Sequence, residues 1–148
     1  MTLWFEDMPV GFRYETGWRR LDEAAITGFA RQWDPQPFHT DREAAAASAY
    51  GGIIASGFHT LLTAFNLCYE TGLWAEASMG ASGMERLRFL RPVRPGDRLR
   101  VEAEVISSRP SASRPDRGRT VFRYTVFNQD GAPVLDYEAE HLLKRRPA

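Results

Sequence analysis

Asp34 and His39 are the pair of residues in this chain whose types and spacing most readily do chemistry. They are a carboxylate and an imidazole five residues apart in Asp34-Pro35-Gln36-Pro37-Phe38-His39. Two prolines stiffen the segment and reduce the entropy lost when both groups are held in place. A carboxylate beside an imidazole can act as an acid–base pair, moving a proton to or from water near neutral pH. The flanking patterns place Asp34 at the C-terminal end of one helix and His39 just before the N-terminal end of the next. Each helix end disfavours the charged form by about 0.3–1 kcal/mol, which raises the carboxylate's proton affinity and favours neutral imidazole. Asp and His are also ordinary at helix boundaries, so the spacing alone leaves a helix-end and cap-neighbour role open.

A second feature is Ala55-Ser56-Gly57-Phe58. Ser56 suits the N-cap of a helix whose first residue is Gly57, and the Gly57 N–H then has no helical acceptor and no side chain in front of it. Such a donor can hold an oxyanion, and removing one typically costs about 10²–10³ in rate. A glycine kept for close packing is the alternative from sequence. Cys68 sits at helical spacing on an apolar face and reads as a packed thiol rather than a nucleophile. His59 reads as a partly buried histidine with its hydrogen bonds satisfied. No metal is expected: His39 and Asp41 lack paired-ligand spacing, and His59 and His141 lie far along the chain.

These groups need elements to position them. Ile26, Phe29, Ala30 and Trp33 recur at helical spacing over Leu21 to Trp33, and Pro35 stops that helix. Thr40-x-x-Glu43 has the form of a capping box ahead of the Ala44–Ala47 run, which predicts a second, short helix. Phe58, Leu61, Leu62, Phe65 and Cys68 or Tyr69 form the apolar face of a third, largely buried helix that Gly72 could end. From Gly83 onward the period becomes two. Strands are predicted over Met84–Leu90, Leu99–Ile106, Thr120–Asn128 and Pro133–Leu143. They are separated by the turn at 94–97, an exposed hairpin connection at 107–118 and a hairpin turn at 128–131. Helices followed by antiparallel strands make an α+β domain in which a sheet covers the apolar helix. The free edges of that sheet are suited to continuation across a two-fold axis in a dimer.

Composition bounds the function. The 148 residues, 43% of them hydrophobic, suit one folded domain spanning 1–148. The 19 basic and 19 acidic residues cancel, which argues against a nucleic-acid binder held by overall positive charge. No apolar run is long enough for a membrane span, and a lone cysteine cannot form an internal disulfide. With no basic leader ahead of an apolar run, a cytoplasmic protein is the expectation. The neutrality is a sum of opposites: residues 1–85 hold five basic and eleven acidic residues, while 86–123 hold eleven basic and four acidic. The basic stretch is entirely arginine, whose planar fork suits phosphate, although solvated strand faces would have the same composition.

The run Phe29 to His39, the alanine-rich helix, Gly52-Ile-Ile-Ala-Ser-Gly57 and Phe89-Leu-Arg-Pro-Val-Arg-Pro-Gly-Asp97 together resemble the MaoC-like, (R)-specific enoyl-CoA hydratases of the hot-dog fold. The resemblance implies an antiparallel sheet wrapped around a central helix and dimerisation that joins two sheets. It implies that Asp34 and His39 activate water for addition to a trans-2-enoyl thioester. Gly57, with Ser56 beside it, would contact the substrate, the Gly57 N–H polarising the thioester carbonyl. It implies no cofactor beyond the coenzyme A carried by the substrate. Gln36, Ser56 and Phe65 depart from residues common in the family, and Phe65 is expected to reshape the acyl pocket. With the resemblance, Arg86, Arg88, Arg91, Arg94, Arg98 and Arg100 become a surface for coenzyme A phosphates. Hot-dog domains also serve as acyl-CoA thioesterases or non-catalytic acyl-CoA-binding modules, and these remain the competing readings.

Overall fold

Strand pairing organises the chain. The computed structural model describes residues 1–148. The strands are β1 (Arg13–Glu15), β2 (Arg19–Arg20), β3 (Ser78–Phe89), β4 (Arg98–Pro110), β5 (Arg117–Phe127) and β6 (Pro133–Lys144). They form one antiparallel sheet in the order β1-β4-β5-β6-β3, with β2 also pairing with β4. Leu99, Val101, Ala103 and Val105 of β4 are buried, as are Phe122, Tyr124 and Val126 of β5 and Leu135, Tyr137, Ala139 and Leu143 of β6. This is the period-two alternation read from the sequence, with one face of the sheet in the core. The other face carries ion pairs, including Arg13–Glu104 at 2.9 Å, Arg119–Glu140 at 2.8 Å and Arg123–Glu138 at 3.2 Å.

Four helices precede or line the sheet: α1 (Glu23–Trp33), α2 (Pro37–Thr40), α3 (Arg42–Ala47) and α4 (Gly57–Glu70). Asp22 caps α1 by accepting from the Ala25 N–H at 2.8 Å. Gly72 follows α4 with φ +71°, a conformation that costs glycine least, and its N–H bonds the Tyr69 carbonyl. The α4 helix lies against β4, giving the α+β arrangement of a sheet laid over a central helix.

Several expectations are corrected. The short helix α3 is capped by Asp41, whose side chain accepts from the Glu43 and Ala44 N–H groups, while the Thr40 hydroxyl turns back to the Gln36 carbonyl. The connection expected at 107–118 shrinks to 111–116, because Ser107, Ser108, Arg109 and Pro110 pair with Val121, Thr120, Arg119 and Gly118. Ladder pairing overrides their weak strand preference, and Pro110 stands at the strand end, where prolines are tolerated. The strand β3 begins at Ser78, six residues ahead of the expected Met84, and meets β6 through three register shifts.

The apolar face of α4 is the largest correction. Thr60, Thr63, Ala64, Leu67 and Cys68 are buried, whereas Phe58 (62% exposed), Leu62, Phe65 and Tyr69 face outward. Small side chains let the helix approach the sheet closely, and the bulky stripe is left on the outside. Trp33 at the end of α1 also faces outward, 65% exposed.

Candidate active site

The segment between α1 and α4 folds back on itself so that Asp34, His39 and Gly57 line one cleft of about 400 Å³. Asp34 is the C-cap of α1, as expected, but His39 lies within α2 rather than in a loop ahead of the next helix. Pro37 starts α2 at the position where its missing N–H costs nothing.

His39 is buried and held from two sides. Its Nδ1 lies 2.7 Å from the Ile54 carbonyl oxygen, an acceptor only, so Nδ1 carries the proton and donates it. The other ring nitrogen, Nε2, is left facing Asp34 Oδ2 at 3.2 Å. Phe38 packs edge-on against the imidazole, with ring centroids 4.5 Å apart.

Asp34 is held just as firmly. Gln36 Nε2 donates to Oδ1 at 2.8 Å, and the Ser56 hydroxyl donates to Oδ2 at 2.7 Å. Partial burial by itself would raise the pKa of Asp34, but these hydrogen bonds and the neighbouring His39 outweigh it and hold the carboxyl below the usual carboxylate range. The raised proton affinity expected from the helix end is therefore corrected. Side-chain donors dominate a helix-end effect of a fraction of a kcal/mol.

Ser56 is fully buried and behind the wall of the cleft. Its oxygen also accepts from the Phe58 N–H at 3.2 Å, so the N-cap expectation is met while its proton is committed to Asp34. The Gly57 N–H meets no acceptor within the chain. A Cβ on Gly57 would meet the Phe89 ring, so close packing favours glycine here.

Sequence reasoning missed Ile54, whose carbonyl sets the His39 tautomer, and Tyr50, Phe89 and Leu90, which line the cleft. Their apolar character carried no signal of chemistry. Phe65 lines a separate cavity further along α4. His59 is corrected: it stacks on Phe29 at 4.5 Å, and its buried Nδ1 has no hydrogen-bond partner.

The six arginines are spread over the fold, with Arg86 and Arg88 on β3 and Arg98 and Arg100 on β4, and β5 and β6 between the two strands. Arg88 lies 3.4 Å from Asp136, and Arg100 lies 3.1 Å from Glu102 and 3.6 Å from Glu15. Arg91 lines the cleft and donates to the Pro133 carbonyl, and Arg94 donates to the Tyr50 carbonyl. Neither arginine has a carboxylate partner, and the same holds for Arg20 and Arg98, whose backbones pair in the sheet.

Fold and site together define an α+β hot-dog domain in which a half-buried Asp34 and a buried His39 share a cleft with a helix N-terminus. The family model of the MaoC like domain matches residues 7–122, and the chain belongs to this MaoC-like dehydratase family. It superposes on a MaoC-like dehydratase from Rhodospirillum rubrum with a TM-score of 0.92 and 41% identity, over 99% of both chains. It is 31% identical to the uncharacterized protein YdeM of Bacillus subtilis over 95% of this chain and 98% of that one. The R-hydratase PhaJ1 of Pseudomonas aeruginosa is similar at 27% identity and a TM-score of 0.66, over 97% of this chain and 86% of that one. No helix is long and apolar enough to cross a membrane.

Proposed function

We propose that the cleft adds water across the double bond of a trans-2-enoyl thioester to give the (R)-3-hydroxyacyl thioester, and catalyses the reverse dehydration. The observation that carries this reading is the His39 tautomer. With Nδ1–H given to the Ile54 carbonyl, His39 turns Nε2 toward the ionised Asp34 carboxylate, so that Nε2 is the ring atom that exchanges protons with the substrate. A water held against both groups from the cleft is oriented by Asp34 and gives its proton to the unprotonated Nε2 as its oxygen attacks C3. The electron pair of the double bond moves to the thioester oxygen, where the Gly57 N–H stabilises the enolate. As the carbonyl re-forms, the Nε2 proton passes to C2, returning His39 to its starting form and leaving the water atoms divided between C2 and C3. Every step uses acid–base and hydrogen-bonding groups of the chain, and coenzyme A enters only as part of the substrate.

Arg91, Arg94, Arg20 and Arg98 support a phosphorylated carrier, since no carboxylate competes for their guanidinium groups. On this reading Arg94→Ala raises KM for a coenzyme A thioester and leaves a short pantetheine thioester unaffected. The outward stripe of α4 and the unpaired edge of β3 support a homodimer.

The reading is tested with crotonyl-CoA, following the enone absorbance and free thiol together. Loss of enone without thiol release, lowered by about 10²–10⁴ in Asp34→Asn and His39→Ala, is the expected result. Thiol release in its place identifies a thioesterase, and neither signal leaves a binding module.

A further inference from the structure

A second cavity of about 420 Å³ lies along α4 from Leu61, one turn on from Gly57, and shares no wall residue with the Asp34–His39 cleft. It runs between α4 and the β5–β6–β3 part of the sheet as far as Cys68, about 16 Å beyond Gly57 at the rise of an α-helix. Leu61, Phe65 and Met84 make most of its wall apolar. That is the wall an acyl chain would need.

The floor is different. Tyr124 Oη and His141 Nε2 lie 2.8 Å apart, and Tyr137 stacks on Tyr124 with ring centroids 4.9 Å apart. Tyr137 lines the cavity, is only 4% exposed, and its hydroxyl makes no hydrogen bond within the chain. The hydroxyl oxygen is not sealed from solvent, and a purely alkyl occupant would take it out of water without giving it a partner. Burial also keeps the floor uncharged: it pushes His141 down to about 4, and it pushes the tyrosines and the Cys68 thiol up. A carboxylate end would meet no cation there, whereas a hydroxyl or carbonyl end would meet donors and acceptors.

We propose that this cavity receives the distal part of the acyl group, and that Tyr137 with the Tyr124–His141 pair selects chains ending in an uncharged hydrogen-bonding group over plain alkyl or carboxylate ends. This substrate class rests on the hydratase reading of the neighbouring cleft.

The test separates the two. Saturated hexanoyl-, octanoyl- and decanoyl-CoA, their ω-hydroxy counterparts and their ω-carboxy counterparts are titrated calorimetrically into the wild-type protein and into Tyr137→Phe. At one or more of these lengths the ω-hydroxy chain binds about 5-fold tighter than its alkyl parent, the worth of one neutral hydrogen bond, and the preference disappears in Tyr137→Phe. Equal affinity at every length, tighter binding of a carboxylate end, or an undiminished preference in the phenylalanine variant overturns the proposal. Crotonyl-CoA, too short to leave the cleft, is assayed alongside with the wild-type protein. Its failure to hydrate sinks the hydratase reading while the binding comparison still decides the pocket.

Discussion

The Ser56 hydroxyl, at the N-cap of α4, donates to Asp34 Oδ2 at 2.7 Å. One side chain thereby ties the carboxylate at the end of α1 to the helix start that offers the Gly57 N–H. It also fixes the oxygen that stands 3.2 Å from His39 Nε2. In Ser56→Ala both ties are lost. The expected result is a fall in kcat of about 10²-fold from a misplaced carboxylate, together with about 1 kcal/mol of stability from the lost cap. The acid limb of the kcat profile moves up in pH, because a donor that lowered the Asp34 pKa is gone. A Ser56→Ala protein with an unshifted limb and wild-type kcat would refute this role.

Gly57 and Phe89 form a steric pair. An added Cβ at Gly57 clashes with the ring, and the Phe89 side chain is itself more than half exposed, so the ring can be displaced. Gly57→Ala is expected to cost about 1–3 kcal/mol, the usual size of an overpacking penalty. Adding Phe89→Ala should recover most of it, a non-additivity that urea unfolding of the single and double variants measures. Additive losses would show that the clash is not the cause.

Stability should fall as the solution is acidified through the titration of His141. Its folded pKa is about 4 against the ordinary 6.5, so between those values the unfolded chain binds more protons than the folded one. Stability is therefore full above 6.5 and is lost as pH falls towards 4. The loss between pH 7 and pH 5 amounts to about 2 kcal/mol by linkage. His59, also lowered by burial, adds in the same direction. Urea unfolding at the two pH values should show a smaller loss in His141→Gln, and an identical loss in both proteins would exclude His141 as the source.

A homodimer is expected to bury Leu62 and Tyr69 of α4, which are 50% and 49% exposed in the single chain. Sedimentation of the wild type should give twice the 16.8 kDa chain mass. Leu62→Glu should give the single-chain mass with unchanged far-UV dichroism, since it places a charge in an apolar interface without touching the core. A wild type that sediments as one chain at micromolar concentration ends the dimer reading.

Asp34, His39 and Gly57 were legible in the sequence because each is announced locally. Two prolines bracket the first pair, and a serine cap precedes the glycine at the start of an apolar helical pattern. The four long strands and the hairpin turn at 128–131 were legible for the same reason, since period-two alternation and Asn-Gln-Asp-Gly depend on near neighbours. What the sequence could not convey are pairings over distance. The Ile54 carbonyl that sets the His39 tautomer is fifteen residues away from it, and Ser56 is twenty-two from Asp34. The orientation of α4 is the reverse of the one its hydrophobic pattern implies. Hydrophobicity named the bulky stripe, but close approach to the sheet favoured the stripe of Thr60, Thr63 and Ala64. The sign of the Asp34 shift was missed as well, because it depends on two donors that only folding brings to the carboxylate. By itself the sequence determined the stiffened Asp34–His39 segment, the helix start and the strand alternation, all carried by near neighbours. The tertiary structure decided the protonation states, the outward face of α4 and the polar floor of the second cavity, because burial and hydrogen bonding depend on which distant residues meet.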